Sequence, residues 1–430
     1  MRERSGLAPR SAIVRAARRV ADRVVAPYVD AIVAQLRSSG QLAHGETQLR
    51  SSGQLAHGEN QPPVVDGTAA APAGHGTSDA FHHANHALRT MELERVPKGA
   101  RHALSVGANG RWYFDWFEEA VGPVIEHVGV EAFEPEPVDL QPYVRWLPST
   151  ADHMDGVDDR SIDLVFAGQT TEHLWSGELA GFLGEAHRVL RPDGWLVLDS
   201  PNRLVTEHLH WSHGGHTVEL AAAEIAELVG LAGFEVVSVT GIWRCEIDGS
   251  VLQLEEGIDD PAVFARRAAT ARDEPDRSFV WWLVARRTDA APDPGLTART
   301  REIFESHWDR RLCRGLFPTP DADRLDVPAG TGGTLGQTLP FPLRAGRHEV
   351  SVTIDEGEWS DLAGFRLEVV DPGGQVLHRL DPSAATGVGA TRTWAFEQAG
   401  LCFAVVARLV ADAAGGPVAV RLPLAWRCDV

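Results

Sequence analysis

The sequence holds no apolar stretch long enough to span a bilayer, so nothing in it asks for a membrane-crossing helix. Cysteine is sparse. Cys245, Cys313, Cys402 and Cys428 are scattered, with no C-x-x-C pair and no secretory signal ahead of them, which argues against a disulfide scaffold and for a reducing cytoplasm. Positive charge is also in short supply: 40 basic residues against 60 acidic ones leave a net charge of -20, which repels phosphate polymers and argues against nucleic acid as a partner. What is present is ample material for burial. A chain of 430 residues with 43% hydrophobic and 23% charged residues is too long for one ordinary core, and two folded domains with additions are expected.

The first 34 residues run against the acidic trend. Residues 1–25 carry seven arginines against Glu3 and Asp22, while Ile13, Val14, Ala17, Val20, Ala21, Val24 and Val25 recur at helical spacing on one side. This pattern predicts a basic amphipathic helix. Such a helix either lies on an anionic membrane surface, which would place the protein at the inner face of the membrane, or packs on protein, and the pattern does not separate the two. A flexible linker is expected over 35–77. It contains QLRSSGQLAHGE twice, at 35–46 and 48–59, a period of 13 residues, and then a tract rich in Gly, Ala, Pro and Ser with little to bury.

Order is expected from residue 78. "AFHHANHALRTMELERVPKG" reads as a helix. The segments "HALSVG", "VGVEAF", "YVRWL", "SIDLVFAG", "GWLVLDS", "FEVVSVTGIW" and "SFVWWLVARR" read as strands, with helices such as "GELAGFLGEAHRVL" and "TVELAAAEIAELVGLAG" between them. Strand and helix in alternation over 78–292 predict an α/β domain with a doubly wound, mainly parallel, Rossmann-like sheet, whose ligands bind outside the carboxyl ends of the strands. "LSVGANGRWYF" (104–114) lies at the first of those ends. In "EAHRVLRPDG" a helix is expected to stop at Pro192, with Asp193 and Gly194 turning the chain into the next strand.

The run "RSIDLVFAGQTTEHLWSGELAGFLGEAHRVLRPDGWLVLDSPNR", with "LAGFEVVSV" after it, resembles the central and late motifs of class I S-adenosylmethionine-dependent methyltransferases. The likeness is greatest to the small-molecule branch that includes ubiquinone-biosynthesis and sugar-modifying enzymes, and it covers residues 88–287. It implies S-adenosylmethionine as cofactor. In that family the first loop has an acid two residues before its first glycine and glycines at alternate positions after it; here those places hold Ser105, Gly107, Asn109 and Arg111, with an extra Gly110. Gly107 still permits a tight turn, Ala108 follows it, and Asn109 tolerates a positive φ well enough to do a glycine's backbone work. The missing acid is the departure that matters, since that carboxylate usually helps hold the methionine amino group.

The remaining cofactor positions implied by the resemblance are intact. An ionised acid at the end of the second strand suits a ribose diol, and Glu131, directly after the strand, is preferred to Glu134. Asp152 in "STADHM" would take the adenine amino group, with the His153 backbone facing the ring, and Gly168 and Gln169 would line the sulfonium side.

Methyl transfer to a hydroxyl needs in-line positioning and a base. Histidine suits that task near neutrality, and His173 in "TTEHLW" follows the fourth strand. A helix-start histidine bonded to the backbone is an equally open reading of it. His213 and His216 come second, from "SPNRLVTEHLHWSHGGHTVEL", whose Asn202, Arg203, His210 and Trp211, beside His208, are the expected contacts to a sugar acceptor. No metal is assigned: the histidines with Glu172 form only a lesser candidate, because relatives that hold an ion at this strand end have a glutamate where this chain has Gln169.

A connecting helix is expected within 293–322. Beyond it, over 323–430, apolar and polar residues alternate between Gly and Pro turns, the pattern of an antiparallel β-sandwich; its texture resembles jelly-roll modules of polysaccharide enzymes and exporters. Trp359, Trp394 and Trp426 are either sugar platforms or core. The expected function is O-methylation of a sugar or glycan hydroxyl in cell-surface polysaccharide synthesis. The alternatives are a non-catalytic glycan-binding scaffold with a degenerate fold, and a methyltransferase of quinone or secondary metabolism.

Overall fold

The computed structural model describes residues 79–108, 110–313, 324–387, 389–422 and 424–429. The basic helix over 1–34, the linker over 35–77 and the reading of Asn109 lie outside the described residues.

Alternating elements build the first layer set. After helix α1 (Asp79–Leu93) come β1 (His102–Val106), α2 (Gly110–Val121), β2 (Glu126–Val130), β3 (Val144–Leu147) and β4 (Ile162–Gly168). Then follow α3 (Ser176–Val189), β5 (Leu190–Pro201), α4 (Arg203–His208), α5 (Ala222–Leu231), β6 (Phe234–Arg244), α6 (Pro261–Ala271) and β7 (Ser278–Arg287). The strands form one seven-stranded sheet in the order β3-β2-β1-β4-β5-β7-β6. Strands β1 to β5 pair in parallel, and β7 runs antiparallel between β5 and β6. The switch in strand order between β1 and β4 opens a crevice at their carboxyl ends, where such sheets bind ligands.

The burial pattern explains why these runs form strands. Ala103, Leu104, Ser105 and Val106 of β1 are all buried, as a strand covered on both faces requires. Helix α2 turns Tyr113, Phe114, Phe117, Ala120 and Val121 onto the sheet, an apolar stripe at helical spacing. Three expectations shift. Strand β2 begins at Glu126 rather than Val128, which leaves Glu131 immediately after its end. The helix expected over Thr217–Gly233 covers only Ala222–Leu231, because Thr217 bonds to Glu172 O after β4 and Leu220 O is taken by Trp281 Nε1 at 2.9 Å. Helix α3 stops at Val189, not at Pro192: Leu190 is already extended, and Asp193 takes the positive φ of 62° at the turn.

Helix α7 (Leu296–Cys313) occupies most of the expected connecting segment, whose last residues, 314–323, lie outside the described ones. It packs on α3 and α5, with Phe304 and Trp308 against Trp175 at centroid distances of 5.5 and 4.7 Å. The strand-rich region is joined to the same helix. Asp309 accepts the Trp426 backbone N–H at 2.9 Å and pairs with Arg427 at 2.8 Å, and Cys313 Sγ accepts from the Leu424 N–H.

In that region one antiparallel sheet runs β8 (Arg324–Val327), β16 (Val418–Arg421), β11 (Gly346–Glu356), β14 (Thr391–Gln398), with β17 (Ala425–Asp429) also on β11. The other runs β9 (Gly333–Gln337), β15 (Cys402–Ala411), β12 (Arg366–Val370), β13 (Val376–Leu380), with β10 (Phe341–Leu343) on β15. Val350, Val352, Leu367, Val369, Val405 and Leu409 join the two in one apolar cluster. Trp394 and Trp426, each 1% exposed, belong to that core, which removes them as sugar platforms; Trp359 stays partly exposed. All four cysteines are free, and no helix among the described residues is long and apolar enough to cross a membrane.

Candidate cofactor and acceptor site

The loop after β1 turns at Gly107, whose φ is 72° and whose N–H bonds to Val130 O, tying it to the end of β2. A Cβ there would stand 3.1 Å from Thr170 Oγ1, so the position has little room and the wrong φ for a side chain. Ala108 is fully buried. Ser105, in the place of the family's acid, bonds to His127 of β2 at 2.8 Å inside the core, and burial pushes the His127 pKa down to about 3. The lost carboxylate is thus replaced by a packed neutral pair, not by another acid.

Glu131 follows β2 directly and is half-buried. Its Oε1 accepts the backbone N–H groups of Phe133 at 2.7 Å and Glu134 at 3.2 Å, which fixes the carboxylate at the strand end; burial raises its pKa. Glu134 is exposed. Asp152 lies below a helix, its Cβ within 2.7 Å of where a Gly181 Cβ would be, and pairs with the exposed His153 at 3.1 Å.

At the β4 end the structure adds residues that the sequence reading passed over. Asp199, fully buried in β5, receives a forked ion pair from Arg89 of α1, with Nη2 at 2.9 Å and Nε at 3.0 Å, and accepts Gln169 Nε2 at 2.6 Å. Gly168 lies directly under Arg89: a Cβ would come within 2.4 Å of Nη2. Asp199 shows the same signal as Glu131, an acid closing an apolar strand. Arg89 gives no local signal, since its partner is 110 residues away.

The histidines read from two separate segments come together. A 3₁₀ turn at Thr171–His173 follows β4, and Thr217 clamps the later loop onto it by donating its N–H and hydroxyl to Glu172 O. The rings of His173 and His216 meet edge-on at 4.8 Å, His213 and His216 at 4.6 Å, and Trp211 stands 5.6 Å from His216. His173 Nδ1 is 2.9 Å from Gly215 O, which can only accept, so Nδ1 carries the hydrogen and Nε2 keeps its lone pair. His216 Nδ1 faces Glu219 Oε1 at 2.8 Å with the same consequence. Burial lowers both pKa values and keeps the rings neutral.

His213 differs. Its Nδ1 accepts the Gly215 N–H at 3.2 Å, so its hydrogen sits on Nε2, and burial pushes its pKa down to about 2. The expectation of His213 as a base is corrected on that ground. Beneath the rings lies Glu172, 1% exposed, with a pKa pushed up to about 8 by burial.

Two expected acceptor contacts are also corrected. Asn202 is the N-cap of α4: its Oδ1 accepts from Leu204 N, and its Nδ2 donates to Pro275 O and Ser278 O. Arg203 pairs with Glu224 at 2.7 Å and Glu207 at 3.3 Å. Both side chains are engaged in holding the fold. His208 and His210 are exposed, His210 with a φ of 52°.

The strand-rich region closes over this end of the sheet. Arg344 donates to Glu178 Oε2 at 3.0 Å and covers the Phe133 ring at 5.3 Å; Phe403 meets the same ring edge-on at 6.2 Å. Arg311 of α7 donates to His213 O at 2.8 Å.

Residues 104–198 match the family model described as a methyltransferase domain. The chain carries a methyltransferase domain. It is 38% identical over 157 residues to a probable S-adenosylmethionine-dependent methyltransferase of Mycolicibacterium smegmatis, a match over 34% of this chain and 56% of the relative. A probable S-adenosylmethionine-dependent methyltransferase of Mycobacterium tuberculosis is 38% identical over 93 residues, 20% of this chain and 31% of its own. The chain thus spans about half the length or less of the curated relatives it matches. An S-adenosylmethionine-dependent methyltransferase structure from Archaeoglobus fulgidus is 19% identical over 46% of this chain and 93% of its own, with a TM-score of 0.33. The first loop, Glu131 and the Gly168–Gln169 end of β4 all fall within the matched methyltransferase domain.

Proposed function

We propose that this chain transfers a methyl group from S-adenosylmethionine to a hydroxyl of a sugar or glycan, in the assembly of a cell-surface polysaccharide. The residues fit the cofactor: a glycine turn at positive φ with little room for a Cβ, an acid at the β2 end for the ribose diol, and a glycine–glutamine pair at the β4 end. The cofactor supplies an electrophilic methyl group on a sulfonium. The chain's own residues hold the acceptor, exclude water and take up the hydroxyl proton.

The observation that carries the reading is His173. Its ring is oriented by Gly215 O so that a neutral Nε2 lone pair is left at the strand end beside His216, His213 and Trp211. A lone pair of that kind accepts the proton of a hydroxyl aligned with the methyl group. The polar, histidine-rich surroundings with one indole favour a sugar over the apolar ring of a quinone.

His173→Ala is expected to lower turnover about 100- to 10,000-fold while leaving the affinity for S-adenosylhomocysteine unchanged. His213→Ala is expected to cost less than tenfold, because its lone pair is already engaged. Wild-type turnover in the His173 variant, measured by label transfer, would remove it as the base.

A further inference from the structure

Glu172 is left unexplained by proton transfer through His173. It is 1% exposed, and its carboxylate has no well-formed hydrogen bond among the described residues, the neighbouring Ser200 hydroxyl being turned to Pro201 O at 3.4 Å. A buried carboxyl without partners is costly, and a cation held beside it is one arrangement that offsets the cost. The arginines nearby are directed elsewhere: Arg89 to Asp199, Arg344 to Glu178, and Arg311 to His213 O with Glu219 at 4.0 Å.

The neighbouring donors complete a set. Ligand-capable atoms of Glu172, His173 and His216 lie within 4.8 Å of one another. Both imidazoles are held from behind at Nδ1, by Gly215 O and by the Glu219 carboxylate, and each keeps Nε2 free of hydrogen. A carbonyl or a carboxylate behind an imidazole is the arrangement that orients metal-ligating histidines. Bonds of about 2.1 Å to a common ion separate its ligands by about 3 to 4 Å, so small ring rotations bring the three atoms into range. The acids Glu219 and Glu178 beside Arg311 and Arg344 offset the repulsion those arginines would exert on an ion.

We propose that Glu172, His173 and His216 bind a first-row divalent cation of the zinc class. Two imidazoles and one carboxylate suit such an ion, whereas magnesium and calcium prefer oxygen ligands. Three protein ligands leave a position open for an acceptor oxygen, and an ion there lowers the pKa of a bound hydroxyl. That role rests on the methyl-transfer reading and takes the place of proton uptake at His173 Nε2, whose one lone pair then holds the ion; the binding site itself does not rest on it.

The test uses the full chain, stripped with chelator and titrated by calorimetry with Zn2+ and, separately, Mg2+, with Co2+ followed by its visible absorption. One equivalent of Zn2+ or Co2+ is expected, with magnesium at least 100-fold weaker. Glu172→Gln and His216→Asn, each checked for fold by circular dichroism, should lose that equivalent or weaken it more than tenfold, while ions held loosely by linker histidines persist. No stoichiometric uptake by the wild type, or uptake unchanged in a folded Glu172→Gln variant, overturns the proposal. S-adenosylhomocysteine binding in the same samples separates the two readings: cofactor binding without metal uptake overturns the metal site alone.

Discussion

Replacing Glu131 by alanine removes a carboxylate whose Oε1 already organises the loop after β2 through the N–H groups of Phe133 and Glu134. Both of those bonds fall on one oxygen, which leaves Oε2 to meet the ribose if the proposed site holds. A charge-assisted hydrogen bond is worth about 1.5 to 3 kcal/mol, and the geometry gives the diol one such oxygen plus a share of the other. The expected loss is about 2 to 3 kcal/mol, a rise of about 30- to 160-fold in Kd for S-adenosylhomocysteine. Glu131→Gln keeps an acceptor for the two backbone groups and loses only the charge, so about tenfold is expected of it. Isothermal calorimetry at 25 °C measures both, with the melting temperature recorded to show that the fold is kept. A Glu131→Ala Kd within twofold of wild type would refute the placement of the ribose at this strand end.

Two further outcomes follow from the packing. Arg344→Ala breaks a pair whose members are only 13% and 9% exposed and uncovers Phe133; leaving Glu178 of α3 buried with only the Trp175 N–H should cost about 3 kcal/mol in chemical denaturation, and a change under about 0.5 kcal/mol would show that the pair ties nothing together. His127, fully buried with its pKa pushed down to about 3, is neutral in the folded protein and takes up a proton once unfolded. The unfolded state therefore binds more protons between about pH 6.5 and 3, and stability falls as the pH drops through that window, by about 2 kcal/mol between pH 7 and pH 5 from this group. His127→Gln should flatten that part of the stability profile, and an unchanged slope would contradict it.

The α/β sheet was legible because its central strands β1, β4 and β7 are buried on both faces over most of their length and read as apolar runs: "SFVWWLVARR" is β7 residue for residue. The acid that closes β2 was visible for the same local reason. Element ends were less so. The segment Thr217–Leu220 has a helical composition, yet Thr217 bonds to Glu172 O and Leu174 O and Leu220 O accepts from Trp281, tertiary pairings that no local pattern carries. Asn202 and Arg203 look like acceptor contacts in sequence because they are polar residues after an apolar strand; only the structure reveals that one caps a helix and the other joins two acids. The same limit hid Arg89 and the closeness of His173 to His216, whose partners lie far along the chain. Tautomers set by Gly215 and Glu219 needed coordinates, and they separate His213 from its two neighbours.

The most direct test of the central claim is label transfer from methyl-labelled S-adenosylmethionine by the purified full chain, across a panel of nucleotide sugars, lipid-linked glycans and quinone-type phenols. Label incorporated into a sugar hydroxyl, stable to mild base as an ether is and lost in His173→Ala, is the predicted result. Transfer only to phenolic acceptors, or no transfer to any acceptor together with no binding of S-adenosylhomocysteine at millimolar concentration, would contradict it.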